Sequence, residues 1–190
     1  SLDSLREALA SRGYQVFCAP EVPTILLSNG GSYPGHDGGE RLILWETAII
    51  QLQRQLEDSF LMVAQSSGSE ECVLIMDRGL LDIPAYIPQP QWQSVLAANQ
   101  LTEAQLAARY DLVVHLTTAA DGAEPFYGRE TNAARNETPE EARELDARIH
   151  ANWTRAHPKV VTLSNQGVDF EVKCKACVEA VVRSVDEKFG

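Results

Sequence analysis

Glu21, Asp77 and Arg78 are the side chains best placed for chemistry, because each sits at the end of an apolar run. Val73-Leu74-Ile75-Met76 leads straight into Asp77-Arg78-Gly79, which predicts a buried parallel strand delivering a carboxylate and a guanidinium to its C-terminal end. Open α/β sheets bind ligands there. An acid at that position can organise the shell of a Mg²⁺ ion, and arginine suits bidentate phosphate contact. Asp77 also has a plainer reading, as a helix N-cap after a core strand. Tyr14 to Ala19 predicts another strand, ending at Pro20-Glu21. Two carboxylates could then face one cleft, as metal organiser and general base.

A third group comes from Tyr127-Gly128-Arg129-Glu130-Thr131-Asn132-Ala133-Ala134-Arg135, where two arginines lie six residues apart in a polar insertion, residues 119–137. Arginine-bearing lids over phosphate sites stabilise transferring charge and exclude water. The plain alternative for Arg129 and Arg135 is a solvated loop with surface ion pairs.

The elements that must position these groups alternate along the chain. Leu2 to Arg12 predicts a helix closed by Gly13. Ser28 to Gly39, with five glycines and Pro34, predicts a loop. From Glu40, the residues Leu42, Trp45, Ile49, Leu52, Leu56, Phe60 and Val63 step by three and four, the pattern of a long amphipathic helix. After Asp77 comes a short helix within Ile87 to Asn99, then one from Thr102 to Ala108, then a strand over Tyr110 to Leu116. Thr138-Pro139-Glu140-Glu141 forms a capping box with Pro at the first helical position, and Ala142, Leu145, Ile149 and Trp153 supply that helix's core face. Lys159 to Leu163 is a fourth strand, and Asp169 to Lys188 the closing helix. Such alternation predicts an α/β fold with a parallel sheet and helices on both faces.

The 190 residues suit a single domain, with 44% hydrophobic and 23% charged residues. A net charge of −11 argues against nucleic acid or anionic membranes as partners, since both need a basic face. No apolar run is long enough for a transmembrane segment, and no secretory signal opens the chain, so the expected compartment is intracellular and cytoplasmic. Cys18, Cys72, Cys174 and Cys177 make no disulfide framework for a chain this long. Cys174 and Cys177 form a lone C-x-x-C on the apolar stripe of the last helix, a core position rather than half a zinc site. The sequons at Asn136 and Asn152 would matter only in a secreted protein. Helix periodicity begins at once at Ser1-Leu2-Asp3, so the chain is expected to start inside a domain.

From about Gly13 to Phe170 the chain resembles the P-loop proteins grouped as the NadR/TRPL-translocation-defect-protein-like AAA domain, relatives of nucleoside and nucleotide kinases. The resemblance rests on Pro20-Glu21-Val22-Pro23-Thr24-Ile25-Leu26-Leu27 with Gly30-Gly31, on Asp77-Arg78-Gly79 with Asp82, Ala85 and Tyr86, and on Gly122-Ala123-Glu124-Pro125-Phe126-Tyr127. It continues through Asn132 to Thr138, Ala142-Arg143-Glu144-Leu145-Asp146, and Trp153 with His157-Pro158. It implies a three-layer P-loop kinase-like domain over residues 1–190, with 119–137 as a lid-like insertion. Mg²⁺ with ATP or GTP is the implied cofactor set, and the implied partners are the nucleotide and a small-molecule acceptor, with room for a protein partner. Glu21 then matches the acid near the acceptor hydroxyl, and Asp77 the Mg²⁺-facing acid. Arg78 and Tyr86 match substrate-binding positions, and Arg129 and Arg135 the lid. Asn165 lies in the turn that passes the base, and Ser1 stands where the phosphate loop's terminal serine would be.

The departure from that family is the absence of G-x-x-x-x-G-K-[ST] from these residues. Either the first strand and its phosphate loop precede Ser1, or the protein has lost them. Two functions follow. One is a nucleotide-binding P-loop NTPase or kinase-like phosphotransferase; the other is a non-catalytic nucleotide-sensing or protein-interaction module. A redox or zinc protein built on Cys174 and Cys177 lacks the other ligands.

Overall fold

A computed structural model describes residues 2–68, 71–123, 138–167 and 169–189. Its elements are α1 (Leu2–Ala10), β1 (Gln15–Ala19), α2 (Val22–Ser28), α3 (Glu40–Ser66), β2 (Cys72–Met76), a 3₁₀ turn (Leu80–Ala85), α4 (Gln89–Asn99), α5 (Glu103–Ala107), β3 (Val113–Leu116), α6 (Pro139–Ala156), β4 (Val160–Leu163) and α7 (Phe170–Phe189). The fold is mixed α/β with short parallel strand pairs. The helix α2 and the 3₁₀ turn are additions to the elements expected from the sequence. Among the described residues no helix is long and apolar enough to cross a membrane.

The expected single sheet is instead two parallel pairs. β1 runs beside β2, with Ala19 opposite Met76 at the upper end, and β3 runs beside β4, with Leu116 opposite Leu163. No ladder of hydrogen bonds joins β2 to β3 among the described residues. Yet α7 rests on both pairs. It packs against β3 and β4, and its Val182 and Val185 share a cluster with Leu5 and Leu9 of α1 and with Val16, Val73 and Ile75 of the other pair. Alternation along β1 turns the next residue, Phe17, the other way, where its ring meets Phe60 of α3 at 5.9 Å. The larger core lies there, built from α3, α4, α5, α6 and the 3₁₀ turn around Trp92, Leu80, Leu81, Ile50 and Trp153.

Caps define the helix starts as the sequence implies. Thr138 accepts from the Glu141 N–H at 3.2 Å while Glu141 returns a bond to the Thr138 N–H at 2.7 Å, and Thr102 with Gln105 does the same for α5. The buried face of α3 is turned from the expected stripe. Leu42, Glu46, Ile49, Ile50, Gln53, Glu57 and Ala64 are buried, whereas Val63 is exposed. Three polar residues therefore occupy core positions on one helix.

Candidate functional site

The C-terminal ends of β1 and β2 lie side by side, and the chain leaves them through Pro20-Glu21 and Asp77-Arg78. Arg78 takes a backbone φ of +79°, the left-handed region that costs a side-chain-bearing residue roughly 1–2 kcal/mol. A buried network holds it there. Gln53 Nε2 donates to the Arg78 carbonyl at 3.1 Å and to the Tyr110 hydroxyl at 3.3 Å. That hydroxyl accepts from the Leu80 N–H at 3.0 Å and donates to Glu57 Oε1 at 2.7 Å. Arg109 closes the network with its Nε on Glu57 Oε2. Burial, followed by the charge of Glu57, pushes the Tyr110 hydroxyl well above the ordinary phenol range.

The Arg78 side chain is held among acids. Its Nε lies 3.5 Å from Glu21 Oε1 and its Nη1 lies 3.8 Å from Asp82 Oδ2. Burial opposes its charge, but Tyr86, Asp82, Glu21 and Asp77 together raise it above the ordinary guanidinium value. Tyr86 thus stands in the same group. Glu21 is half-buried and accepts from the Thr24 hydroxyl at 2.5 Å, one turn into α2. Asp82 is buried and accepts from the Trp153 indole N–H at 2.5 Å and from the Gly79 N–H at 3.4 Å. Burial pushes its carboxyl up, against the pull of Trp153, Arg78 and Gly79. Gly79 is required by proximity: a Cβ there would collide with the Trp153 ring.

Glu21, Asp77, Arg78 and Tyr86 are therefore brought together at one strand edge. The apolar run before Asp77 implies a carboxylate at least half-buried at the strand end, and Asp77 is instead exposed. The turn after Met76 releases the backbone from the strand before Asp77 is covered. No hydrogen bond or ion pair holds its carboxylate among the described residues.

Asn165 is elsewhere. It is buried at the end of β4, where its Nδ2 donates to the carbonyls of Thr117, Thr118 and Asp121 at 3.1, 2.7 and 2.9 Å and its Oδ1 accepts from Lys173 Nζ at 2.6 Å. Its side chain is committed to holding the segment after β3. His157 is likewise structural, bonded to the Tyr110 carbonyl at 2.8 Å and to the Lys159 N–H at 3.1 Å. Ser1, Arg129 and Arg135 lie outside the described residues. The opening of the 119–137 insertion does contribute to the core, with Ala120 fully buried and its carbonyl accepting from Arg143 Nε at 2.7 Å.

Asp82, Trp153, Gln53, Glu57 and Tyr110 complete the site and were not predicted for it. Gln53 and Glu57 carry a readable signal, as polar residues close to the core stripe of a long amphipathic helix. The Asp82–Trp153 bond spans 71 residues, and nothing local announces it.

The cluster can bind an anion through Arg78, with an acid on either side and an exposed carboxylate beside it. Mg²⁺ keeps several waters and takes one or two carboxylates together with phosphate oxygens, and the uncommitted Asp77 fits that demand. Among the described residues no group of three or more acidic, histidine or cysteine side chains could hold a metal on its own. A family model described as an AAA domain matches residues 4–169. No curated protein matches the chain.

Proposed function

The chain belongs to the AAA domain family, a nucleotide-binding class of NTPase- or kinase-like proteins, and on that premise we propose that it is a P-loop phosphotransferase. It would use ATP or GTP with Mg²⁺ to phosphorylate a small-molecule acceptor inside the cell. The order of its segments suggests kinship with the NadR/TRPL-translocation-defect-protein-like members. One observation carries the reading: Arg78 is held in a strained backbone conformation between Glu21 and Asp82 at the upper edge of a parallel strand pair. Strain of this kind persists where the surroundings over-determine it and clusters at functional sites.

Arg78 holds a phosphate oxygen or the acceptor group, and Glu21 takes the proton from the acceptor hydroxyl. Tyr86 lines the acceptor, and Asp77 is the Mg²⁺-facing acid. When bound, Mg²⁺ offsets charge developing on the transferred group. Arg129 and Arg135 act from the lid, and Asn165 shapes the turn beside the base. The phosphate loop and a fifth strand come from residues joined ahead of Ser1, completing a three-layer fold. The separation of β2 from β3 beneath a helix shared by both pairs supports a strand at that place, since unpaired strand edges leave backbone donors and acceptors without partners.

Titration calorimetry with ATP and GTP, run beside a phosphate-transfer assay on the full-length protein, tests this reading. Asp77→Asn should abolish Mg²⁺-dependent turnover while the fold persists. Glu21→Gln should lower transfer more than nucleotide affinity. A full-length protein that binds nucleotide but never turns it over would instead be a sensing or interaction module, and one that binds none sinks the proposal.

A further inference from the structure

The long helix α3 can be read as a ruler against the strands. At its foot, the Ala64 carbonyl lies 3.9 Å from Cys72 Sγ and the Ser67 hydroxyl donates to Gln15 Oε1 at 2.5 Å, level with the starts of β1 and β2. Phe60 meets Phe17 at mid-strand. Gln53 reaches the Arg78 carbonyl just past the strand ends. The helix therefore runs antiparallel to the strands, and Glu46, seven residues before Gln53, stands roughly 10 Å beyond the sheet's upper edge at 1.5 Å per residue. Crevices beyond the C-terminal ends of strands are where such sheets bind ligands.

Glu46 is 4% exposed, and no hydrogen bond or ion pair reaches its carboxylate among the described residues. The elements packed on α3 offer it no counter-ion. α2, α4, β1 and β2 carry no charged residue, and the 3₁₀ turn contributes Asp82, another acid. Burial alone raises its carboxyl to about 7. Tyr33, exposed on the segment between α2 and α3, has its hydroxyl pushed up by partial burial first and by the Glu46 charge second. The Tyr33 ring stands edge-on to Trp45 at 6.3 Å, and its hydroxyl lies 3.4 Å from His36 Nδ1. The glycine-rich segment between α2 and α3 is packed tightly onto the helix here, since a Cβ on Gly31 would lie 3.1 Å from the Trp45 ring.

We propose that Glu46 forms the far end of the acceptor subsite and grips an N–H- or O–H-bearing group of the acceptor, roughly 10 Å along α3 beyond the level of the Arg78 carbonyl. Buried carboxylates are otherwise paired or hydrogen-bonded, and a donor from the ligand supplies what the chain withholds. Identification of the occupant as the acceptor rests on the phosphotransferase reading; the donor site itself does not.

The test follows the side-chain carboxyl of Glu46 by NMR through a pH titration of the full-length protein. Assignment comes from loss of the signal in Glu46→Gln, or its displacement in Glu46→Asp should the glutamine variant not fold. Ethanolamine serves as a cationic donor and ribose as a neutral one, each at millimolar excess. Either probe should lower the proton affinity of Glu46 about tenfold, as a donor favouring the ionised form does. A response to ethanolamine alone identifies a charged amine as the recognised group, and a response to ribose alone a hydroxyl. An inflection in the ordinary carboxylate range, or one near 7 that neither probe moves, overturns the inference. Inorganic phosphate, titrated in parallel against parent and Arg78→Ala, keeps the two readings apart. Phosphate bound through Arg78 with Glu46 unmoved defeats only the donor site, whereas a responsive Glu46 without phosphate binding defeats only the phosphotransferase.

Discussion

At the upper edge, the Asn165–Lys173 pair and Glu46 are buried to nearly the same extent and treated in opposite ways. At the ends of β3 and β4, Asn165 and Lys173 are each 8% exposed, and every polar atom of their side chains has a partner within the chain: Asn165 ties three carbonyls, while Lys173 Nζ donates to Asn165 Oδ1 at 2.6 Å and to the Thr117 carbonyl at 2.7 Å. Beyond the ends of β1 and β2, Glu46 has no such partner and Asp77 is left open to solvent. Closure of the first cluster marks it as structure. On the proposal above, the open valence of the second is what a ligand fills.

The largest effect should come from opening the closed cluster. Asn165→Ala takes from the Lys173 ammonium one of its two partners and from three carbonyls the amide that ties them together, and should cost about 3 kcal/mol in urea unfolding, since several buried hydrogen bonds are lost, one of them to a charged group. A cost below about 1 kcal/mol would mean that water replaces the amide and that the cluster is not closed.

Next is the open carboxylate. Because the folded chain raises the Glu46 carboxyl to about 7, folding favours its protonated form; the parent keeps its full stability below the ordinary carboxylate range and loses it as pH rises through 7. Glu46→Gln should therefore match the parent near pH 4 and exceed it by about 2 kcal/mol at pH 8. Equal stability at both pH values would show that Glu46 has a partner in solution.

The smallest effect separates backbone from side chain at Arg78. Glycine and alanine remove the same guanidinium, but only glycine accepts a φ of +79° without strain. Arg78→Gly should thus be more stable than Arg78→Ala by about 1 kcal/mol in paired denaturation curves. No difference would mean that the turn relaxes once the guanidinium is gone, so that the side chain and not the network imposes the strain.

The sequence made the closed and periodic parts legible. The Thr138 capping box, the Thr102 cap, the span of α3 and the four strands follow from local spacing, and the apolar runs place Glu21 and Asp77 at neighbouring strand ends. What it hid was non-local or out of phase. α2 is seven residues long with Pro23 at its start, too short for a periodicity to declare itself. The separation of β2 from β3 is a matter of pairing, which local pattern does not encode. Apolar stepping along α3 pointed to Trp45, Leu52 and Leu56, and so passed over Glu46, Gln53 and Glu57 on the truly buried face. Asp82 finds Trp153 only once α6 has docked.

The Tyr110 hydroxyl gives the Arg78 turn a property that packing could not. An oxygen of this type has one proton to give and two lone pairs to fill, and here it gives to Glu57 and receives from Gln53 and Leu80. Its bonding capacity is exhausted, and because burial keeps it protonated far into alkaline solution, the direction of all three bonds is set once. The turn that carries Arg78 is therefore wired rather than wedged: its orientation is fixed by a count of donors and acceptors that admits one arrangement, and no drift in pH across the living range can reverse it.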